Sequence, residues 1–331
     1  MGYTAFTKLL RWLIEMPRSV NLWDLSGREF YIGLKDAFLK NFFNYSITVV
    51  GSQHKLAKLL GKHDSVVYNY QHRNRFISLN IISKIIKLLP KDEENKWRHL
   101  IEENLEEIKC DGNLSKPLKN PKFPIRLTPI LFKILGHVTG DGYIEMNKGS
   151  PLVGYTNQRI ELIEEFKENI KEVFGNIEPY ERVTKGDTYN IRYPGIVGII
   201  LSNLLGSLPS RSDIASLISQ CDEQSKSLFL RALFDDEGYV SVGKYQIGIG
   251  MTNKEVIETI KKLLLEFNIE TGKISERVRK IPRKPIYEVR ISGRKNLNLF
   301  TRIIGFDHPL KRDKIQVLLN NYKSIGTGEK N

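Results

Sequence analysis

The sequence predicts an α+β chain in which a helical N-terminal domain precedes two copies of one αββαββα unit. Three observations support this prediction: an internal repeat in residues 125–331, hydrophobic spacing there that switches between helical and strand periods, and a series of short helical patterns before it. The 331 residues exceed one small domain. The expected divisions are a helical domain over 1–118, a linker over 111–124, and units over 125–222 and 223–331.

Residues 52–89 predict a helix-turn-helix within the helical N-terminal domain. Residues 56–61 (LAKLLG) resemble the first helix and turn of a lambda-repressor-like helix-turn-helix, in which Ala57 permits close packing and Gly61 the turn. Asp64 or Ser65 would cap the second helix. Residues 45–90 contain a single acid, Asp64. The resemblance implies these groove contacts: His63, Ser65, Val66, Asn69, Arg73 and Arg75. The alternative is a three-helix bundle that only docks on the rest of the chain.

Two segments then lead into the repeated part of the chain. Residues 91–109 have the apolar spacing of a solvated helix. Residues 111–124 (DGNLSKPLKNPKFP) contain turn signals and three prolines, and proline restricts its own backbone and the preceding residue. This second segment is therefore the predicted linker.

Several short motifs recur in order along the second half of the chain. Residues 140–143 (GDGY) recur as 236–239 (DEGY), and Thr156-Asn157 recurs as Thr252-Asn253. Residues 209–213 (PSRSD) recur as 309–313 (PLKRD). Several matches in order indicate a tandem duplication of a unit of about 100 residues. Each unit reads as helix, hairpin, helix, hairpin and final helix.

The two helix ends in this repeat resemble a known sequence motif. Residues 134–142 (ILGHVTGDG) and 230–238 (LRALFDDEG) are similar to the motif of the LAGLIDADG, or dodecapeptide, homing endonucleases. The resemblance covers about residues 125–322 and implies a pseudo-twofold saddle of two sheets on duplex DNA. It also implies that the motif helices pack side by side through Gly136, Gly140 and Ala232. Asp236 replaces the usual small residue, so a looser contact is expected there.

The acid before the last glycine of each motif is the candidate catalytic residue. These acids are Asp141 and Glu237, and hard carboxylate oxygens suit Mg²⁺ or Mn²⁺. Gly140 and Asp236 complete the expected metal site. Taken singly, such a motif is usually a helix C-cap followed by a turn. Two copies at equivalent places of a duplicated unit favour the catalytic interpretation.

The resemblance also implies a basic residue near each scissile phosphate, at the start of the last helix of each unit. Lys311 and its repeat partner Arg211 occupy that place in the sequence. A cation there would stabilise developing phosphate charge or order the attacking water. The alternative is a pair of ordinary residues on a solvated helix face.

Strand alternation predicts which side chains of the two sheets point toward DNA. Val242, Ile274 and Val278 are expected in the core. Residue types able to read base edges then lie on the outer face, which could also be an ordinary polar sheet face. These residues are Arg182, Asn190, Arg192, Ser241, Lys244, Gln246, Arg277, Arg279, Glu288 and Arg290.

Composition limits the classes of protein that the chain can belong to. The net charge of +13 favours a polyanionic partner, here double-stranded DNA. No apolar run is long enough for a membrane span, and two distant cysteines fit a reducing cytoplasm better than a disulfide framework. Two motifs on one chain imply a monomeric pseudo-dimer without an obligatory protein partner.

The leading functional hypothesis is a site-specific endonuclease that makes a staggered break at a long asymmetric DNA site. One alternative is a non-cleaving transcriptional regulator, which would not need two clustered acids. The other is an RNA maturase for intron splicing, which no residue excludes. An intein is not expected, because the chain starts with Met1 and does not end in His-Asn.

Overall fold

The N-terminal part of the chain contains a sheet, so the prediction of an all-helical domain is wrong there. The computed structural model describes residues 19–73, 76–110, 116–147, 150–184, 186–206, 209–278 and 284–326. Strands β2 (Phe30–Leu34), β3 (Ile77–Ser78), β4 (Leu105–Cys110) and β5 (Leu118–Lys119) form an antiparallel sheet in the order β3-β2-β4-β5. The helix expected over 91–109 ends at Glu103. The pairing of β4 with the distant β2 satisfies its backbone, which a local pattern cannot reveal.

The described residues of this part of the chain form five α-helices: α1 (Asp36–Val50), α2 (Gln53–Leu60), α3 (Asp64–His72), α4 (Leu79–Ile86) and α5 (Glu94–Glu103). A tight turn joins α2 to α3, and Gly61 has a φ of 66° there, which favours glycine. The cap of α3 is His63, whose ring accepts the Ser65 N–H, so the predicted capping by Asp64 or Ser65 is wrong. Helices α2 and α3 are thus joined by the tight turn that the sequence predicted at Gly61.

The segment predicted as a linker is tied to both of its neighbours. Strand β5 lies in the N-terminal sheet, and β6 (Ile125–Arg126) pairs with β1 (Ser19–Val20). Lys119 and Asn176 exchange backbone hydrogen bonds of 2.8 Å in both directions. Residues 116–124 of this segment therefore run along the surface of the first unit.

The repeated part of the chain has the predicted α+β architecture. The first unit contains α6 (Pro129–Thr139), β7 (Gly142–Asn147), β8 (Ser150–Asn157), α7 (Ile160–Phe174), β9 (Tyr180–Thr184), β10 (Thr188–Arg192), α8 (Gly195–Leu204) and α9 (Arg211–Ile218). The second contains α10 (Glu223–Glu237), β11 (Gly238–Ser241), β12 (Gln246–Met251), α11 (Lys254–Glu266), β13 (Ser275–Arg277), β14 (Ile286–Ser292), α12 (Arg294–Ile303) and α13 (Pro309–Gly326). The sheets, β7-β8-β10-β9 and β11-β12-β14-β13, have the same order, which confirms the duplication.

One face of each sheet belongs to the core. In the second unit, Ile247, Ile249 and Ile291 are fully buried. Helix α11 contacts both β12 and β14, and its residues Val256 and Ile260 are buried at helical spacing. No helix in the described ranges is long and apolar enough to cross a membrane.

Helices α6 and α10 form the central contact between the two units. A Cβ atom placed on Gly136 would lie 2.6 Å from the Phe229 carbonyl oxygen and 2.7 Å from the Ala232 Cβ. These distances leave no room for a side chain at position 136. The helices therefore approach at the small residues of the two motifs.

Candidate active site

The two motif acids lie where the central helices give way to strands. Gly140 caps the C-terminus of α6, Asp141 follows it, and β7 starts at Gly142. Glu237 is the last residue of α10, and β11 starts at Gly238. Because α6 and α10 pack side by side and end together, they bring both acids to one end of the helix pair.

Negative charge is concentrated at this end of the helix pair. The pKa of Asp141 is raised to about 7, first by burial and then by the neighbouring Asp236 and Glu237 carboxylates, while Lys311 and His137 oppose the rise. Burial also raises the pKa of Glu237, while the nearby Arg211 guanidinium lowers it. A cation placed between the acids would relieve this repulsion.

The raised pKa of Asp141 has a consequence for stability that does not depend on activity. An unfolded aspartate has a pKa near 3.8 and the folded one near 7, so folding disfavours ionisation. The resulting loss in the free energy of unfolding grows as the pH rises from about 4 to 7 and is fully present above pH 7. In EDTA at pH 8, the Asp141→Asn variant should therefore melt at a higher temperature than wild type, and this excess should vanish near pH 4. Asp313→Asn, an exposed acid on α13, is the control, and an excess equal at both pH values would contradict the account.

The two cations predicted from the repeat reach the C-terminal ends of the central helices. Lys311 Nζ donates to the main-chain oxygens of Phe234 (3.0 Å) and Asp236 (3.3 Å). Arg211 Nη2 donates to the Gly140 carbonyl oxygen at 2.9 Å. A cation near the last carbonyls of a helix interacts favourably with the helix dipole. Each cation thus lies beside the acid-bearing helix end of its own unit.

The Asp236 carboxylate is buried and takes part in hydrogen bonds with the first unit. It accepts hydrogen bonds from the Tyr155 hydroxyl at 2.6 Å and lies 3.1 Å from His137 Nδ1. A Cβ atom on Gly140 would approach Asp236 Oδ2 to 2.6 Å, so the looser contact predicted at this position is wrong. Because Gly140 has no side chain, the Asp236 carboxylate can occupy the space beside it. From Gly140 and Asp236, the main-chain oxygens, which accept from Arg211 and Lys311, remain as possible metal ligands.

The donor atoms near Asp141 and Glu237 fit a magnesium ion whose remaining ligands are waters and substrate phosphates. The described residues contain no group of three or more His, Cys, Asp and Glu side chains able to hold a metal. Two carboxylates, Asp141 and Glu237, and two main-chain oxygens are nonetheless hard ligands. Mg²⁺ is usually held by one or two carboxylates, with waters and substrate phosphates completing its octahedron.

The outer face of the first sheet presents the polar residues predicted for it. Arg182 pairs with Asn190 across β9 and β10, and Asn190 donates to the Thr156 hydroxyl at 2.6 Å. Arg192 pairs with Gly154 on the same face. Arg182 is exposed, while the other two are half-buried.

The second sheet presents a hydrogen-bonded cluster on its outer face. Glu288 accepts from the Tyr239 hydroxyl at 2.6 Å, and Arg290 donates to both residues. Ser241 pairs with Gln246 at the end of the β11–β12 hairpin, Lys244 is exposed in its turn, and Arg277 is exposed on β13. Arg279 lies outside the described residues.

One prediction about the sheets is wrong, and two tyrosines on their outer faces were missed. Val278 was expected in the core but is 81% exposed, because β13 ends at Arg277 and pairs only over three residues. Alternation also missed Tyr143 and Tyr239, whose rings cover Gly154 and Gly248 on the outer faces. The recurrence of tyrosine two positions after each motif acid was the signal that could have found them.

The predicted contacts of the helix-turn-helix lie at the start and along one side of α3. Ser65 and Arg73 are exposed, and Val66 and Asn69 are half-buried. His63 is exposed but engaged as the helix cap. Arg75 lies outside the described residues. The exposed Tyr68 was missed, and its ring contacts His72 and the Arg73 guanidinium.

Comparison with known proteins agrees with the arrangement of the second unit. Residues 224–305 match the LAGLIDADG-like domain. This LAGLIDADG-like domain begins in α10 and runs past the end of α12, so it includes Glu237 and the whole second sheet. The first unit is related to it by the internal repeat and by the common sheet order.

The chain is similar to segments of curated proteins whose names describe different activities. The chain is 28% identical over 326 residues to glutamine–fructose-6-phosphate aminotransferase (isomerizing) of Methanocaldococcus jannaschii, covering 95% of this chain and 28% of that protein. It is 28% identical to the replication factor C small subunit of the same organism, covering 70% of this chain and 12% of that protein. A probable translation initiation factor IF-2 of Thermococcus kodakarensis is 38% identical over 90 residues, or 27% of this chain and 7% of that protein. The chain therefore spans less than a third of each of these proteins.

Solved structures that resemble the chain include LAGLIDADG proteins. I-DmoI in complex with DNA and Mn aligns at a TM-score of 0.41 and 19% identity, over 54% of this chain and 96% of that one. Full-length DUF199/WhiA from Thermatoga maritima aligns at 0.41 and 18% identity, over 59% of this chain and 60% of that one.

Proposed function

We propose that the chain is a metal-dependent DNA endonuclease that makes a staggered double-strand break at a long asymmetric site. The observation that carries this proposal is the meeting of Asp141 and Glu237 at one end of the central helix pair, with a cation beside each helix end. A structural helix cap would not require two like charges whose pKa values are both raised there. The net charge of +13 supports a polyanionic partner.

The chain's own residues would divide the work of phosphodiester hydrolysis. Asp141 and Glu237, with the Gly140 and Asp236 carbonyl oxygens, would hold Mg²⁺ or Mn²⁺ against the scissile phosphates. The bound metal would supply activated water and neutralise charge on the leaving oxygen. Lys311 and Arg211 would stabilise phosphate charge or order the attacking water. The outer sheet faces would read base edges of double-stranded DNA.

The curated relatives support a role independent of any one host activity. An aminotransferase, a replication factor subunit and a translation initiation factor share no reaction, yet each contains a segment like part or most of this chain. The matched segment is a minor share of each protein. A segment that occurs within unrelated proteins fits a homing endonuclease. This chain would act as a monomer whose two units each bind half of the DNA site.

A non-cleaving DNA-binding regulator is the second candidate, favoured by the connection of α2 and α3. An RNA maturase is the third. The test is to incubate the chain with Mg²⁺ and a randomised duplex library and to sequence the cut ends. Ends that converge on one long sequence support the endonuclease. Recovery of bound but uncut duplex would support the regulator, and a requirement for structured RNA would support the maturase.

Lys311 should contribute more to the cleavage of one DNA strand than to that of the other. In the Lys311→Met variant, we expect cleavage of one strand to slow by about 10²-fold, because removing one charge-stabilising group has effects of this size. The other strand should slow less, because Arg211 lies at the equivalent place in the first unit. Strand-specific end labels measure both rates. Equal slowing of both strands with an unchanged melting temperature would contradict this division.

The exposed Arg73 of α3 tests the role of the helix-turn-helix in the full chain. If Arg73 contacts a phosphate, Arg73→Ala should weaken binding uniformly across sequences and lower the salt slope by about 1. Lys171→Ala, on the outer helix α7, is the matched control and should leave the slope unchanged. An unchanged slope in Arg73→Ala would favour the docking-bundle alternative.

A further inference from the structure

A chain of polar side chains runs through the otherwise apolar contact between the two units and ends at Asp141. It starts at His137, whose ring is fully buried and contacts the ring of Tyr155 with 4.9 Å between centroids. His137 Nδ1 lies 3.1 Å from Asp236 Oδ2, and the Tyr155 hydroxyl donates to Asp236 Oδ1. The Asp141 backbone N–H also lies 3.4 Å from the Asp236 carboxylate.

Asn157 connects this buried chain to the carboxylate of Asp141. Its side-chain nitrogen lies 3.1 Å from Asp141 Oδ2 and 3.1 Å from the Tyr155 hydroxyl oxygen. Its side-chain oxygen accepts the Arg159 backbone N–H at 2.9 Å, which fixes the orientation of the amide. The amide hydrogens therefore point toward Asp141 and Tyr155.

The second unit lacks this arrangement around its own acid. The repeat aligns Leu233 with His137 and Met251 with Tyr155, and neither can take part in a comparable hydrogen-bonded chain. Asn253 aligns with Asn157, but it donates to the Ser212 hydroxyl at 3.0 Å and caps α11. Among the described residues, no side chain donates a hydrogen bond to the Glu237 carboxylate. The two acids are thus held unequally.

We propose that Asp236, through Tyr155 and Asn157, is a positioning residue that fixes the Asp141 carboxylate and makes the two halves cut their strands at unequal rates. This inference rests on the endonuclease function proposed above. Burial of Asp236 costs free energy unless its oxygens are hydrogen-bonded, and His137 and Tyr155 provide these bonds. The Asp236 carboxylate also lies 3.4 Å from the Asp141 backbone nitrogen. It accepts from the Tyr155 hydroxyl, which in turn accepts from the Asn157 amide. The strand served by Asp141 is cut first, and a nicked duplex precedes the double-strand break.

Tyr155→Phe is the sharpest test because it removes one hydroxyl and keeps the ring contacts with His137 and Phe166. Loss of an outer hydrogen bond to a metal-ligating group commonly costs 10- to 100-fold, so one strand should be cut about 10-fold or more slowly. The other strand should change by less than about threefold. Tyr193→Phe is the control, since the buried Tyr193 hydroxyl has no hydrogen-bond partner in the described structure.

A stability measurement tests the same coupling without cleavage. If the network holds Asp141, the melting-temperature shifts of Tyr155→Phe and Asp141→Asn should not add in the double variant, whereas those of Tyr193→Phe and Asp141→Asn should add. Asp236→Asn keeps an acceptor for Tyr155 and should cleave faster on the affected strand than Asp236→Ala. Equal slowing of both strands, or additive shifts for positions 155 and 141, would overturn the proposal. If wild type cuts no duplex, the endonuclease function fails, and the melting-temperature cycle alone decides the positioning role.

Discussion

Asp141→Asn and Glu237→Gln are each expected to abolish double-strand cleavage while leaving DNA affinity close to that of wild type. The amide keeps the size of each side chain but removes the charge that would hold the metal. Loss of metal-assisted charge stabilisation should lower the cleavage rate by about 10³-fold or more. Affinity should stay the same or rise, because a negative group that faces phosphates is removed. Cleavage and gel-shift assays on the same duplex measure the two effects.

The control for the acid variants is Glu258→Gln, which removes an exposed charge from α11. It should cleave as wild type does. Substantial cleavage by the variant with both amides would mean that Asp141 and Glu237 only terminate their helices.

Gly136→Leu should destabilise the fold more than any surface substitution in the chain. The new side chain would have to enter the space occupied by the Phe229 carbonyl and Ala232, which are less than 3 Å from the position of a Cβ. Overpacking of a core costs about 1–3 kcal/mol and occasionally more, and we expect at least about 3 kcal/mol because backbone is one of the obstacles. Urea denaturation measures the loss in unfolding free energy.

Gly243→Ala is the matched glycine control, since a Cβ there meets no atom within 4 Å. Its unfolding free energy should stay within about 0.5 kcal/mol of wild type. A Gly136→Leu variant that is as stable as Gly243→Ala would show that α6 and α10 do not pack as closely as described.

The repeat explains why so much of the second half could be predicted from sequence. Two copies of one pattern fix the boundaries of each other's elements, and the motif residues at each helix end identify Asp141 and Glu237 as equivalent. The core-facing residues Ile247 and Ile249 followed from strict alternation.

The errors arose where long-range contacts decide the structure. Strand β4 (Leu105–Cys110) pairs with β2, whose paired residues lie 71 to 80 positions earlier in the chain, so the local helical spacing was misleading. The position of Asp236 depends on the missing side chain of Gly140 in the other unit, and no pattern within α10 indicates that partner. Val278 continues the alternation of β13 in sequence but has left the sheet.

If Asp141 and Glu237 together cleave both strands of bound DNA, binding and cleavage must select the same sequence. Wild type is incubated with a randomised duplex library in Mg²⁺, and the bound and cut molecules are sequenced from the same sample. We expect one long asymmetric sequence enriched in both pools, with cut ends at a fixed stagger on the two strands. An enriched sequence in the bound pool with no cut ends would rule out the proposed cleavage.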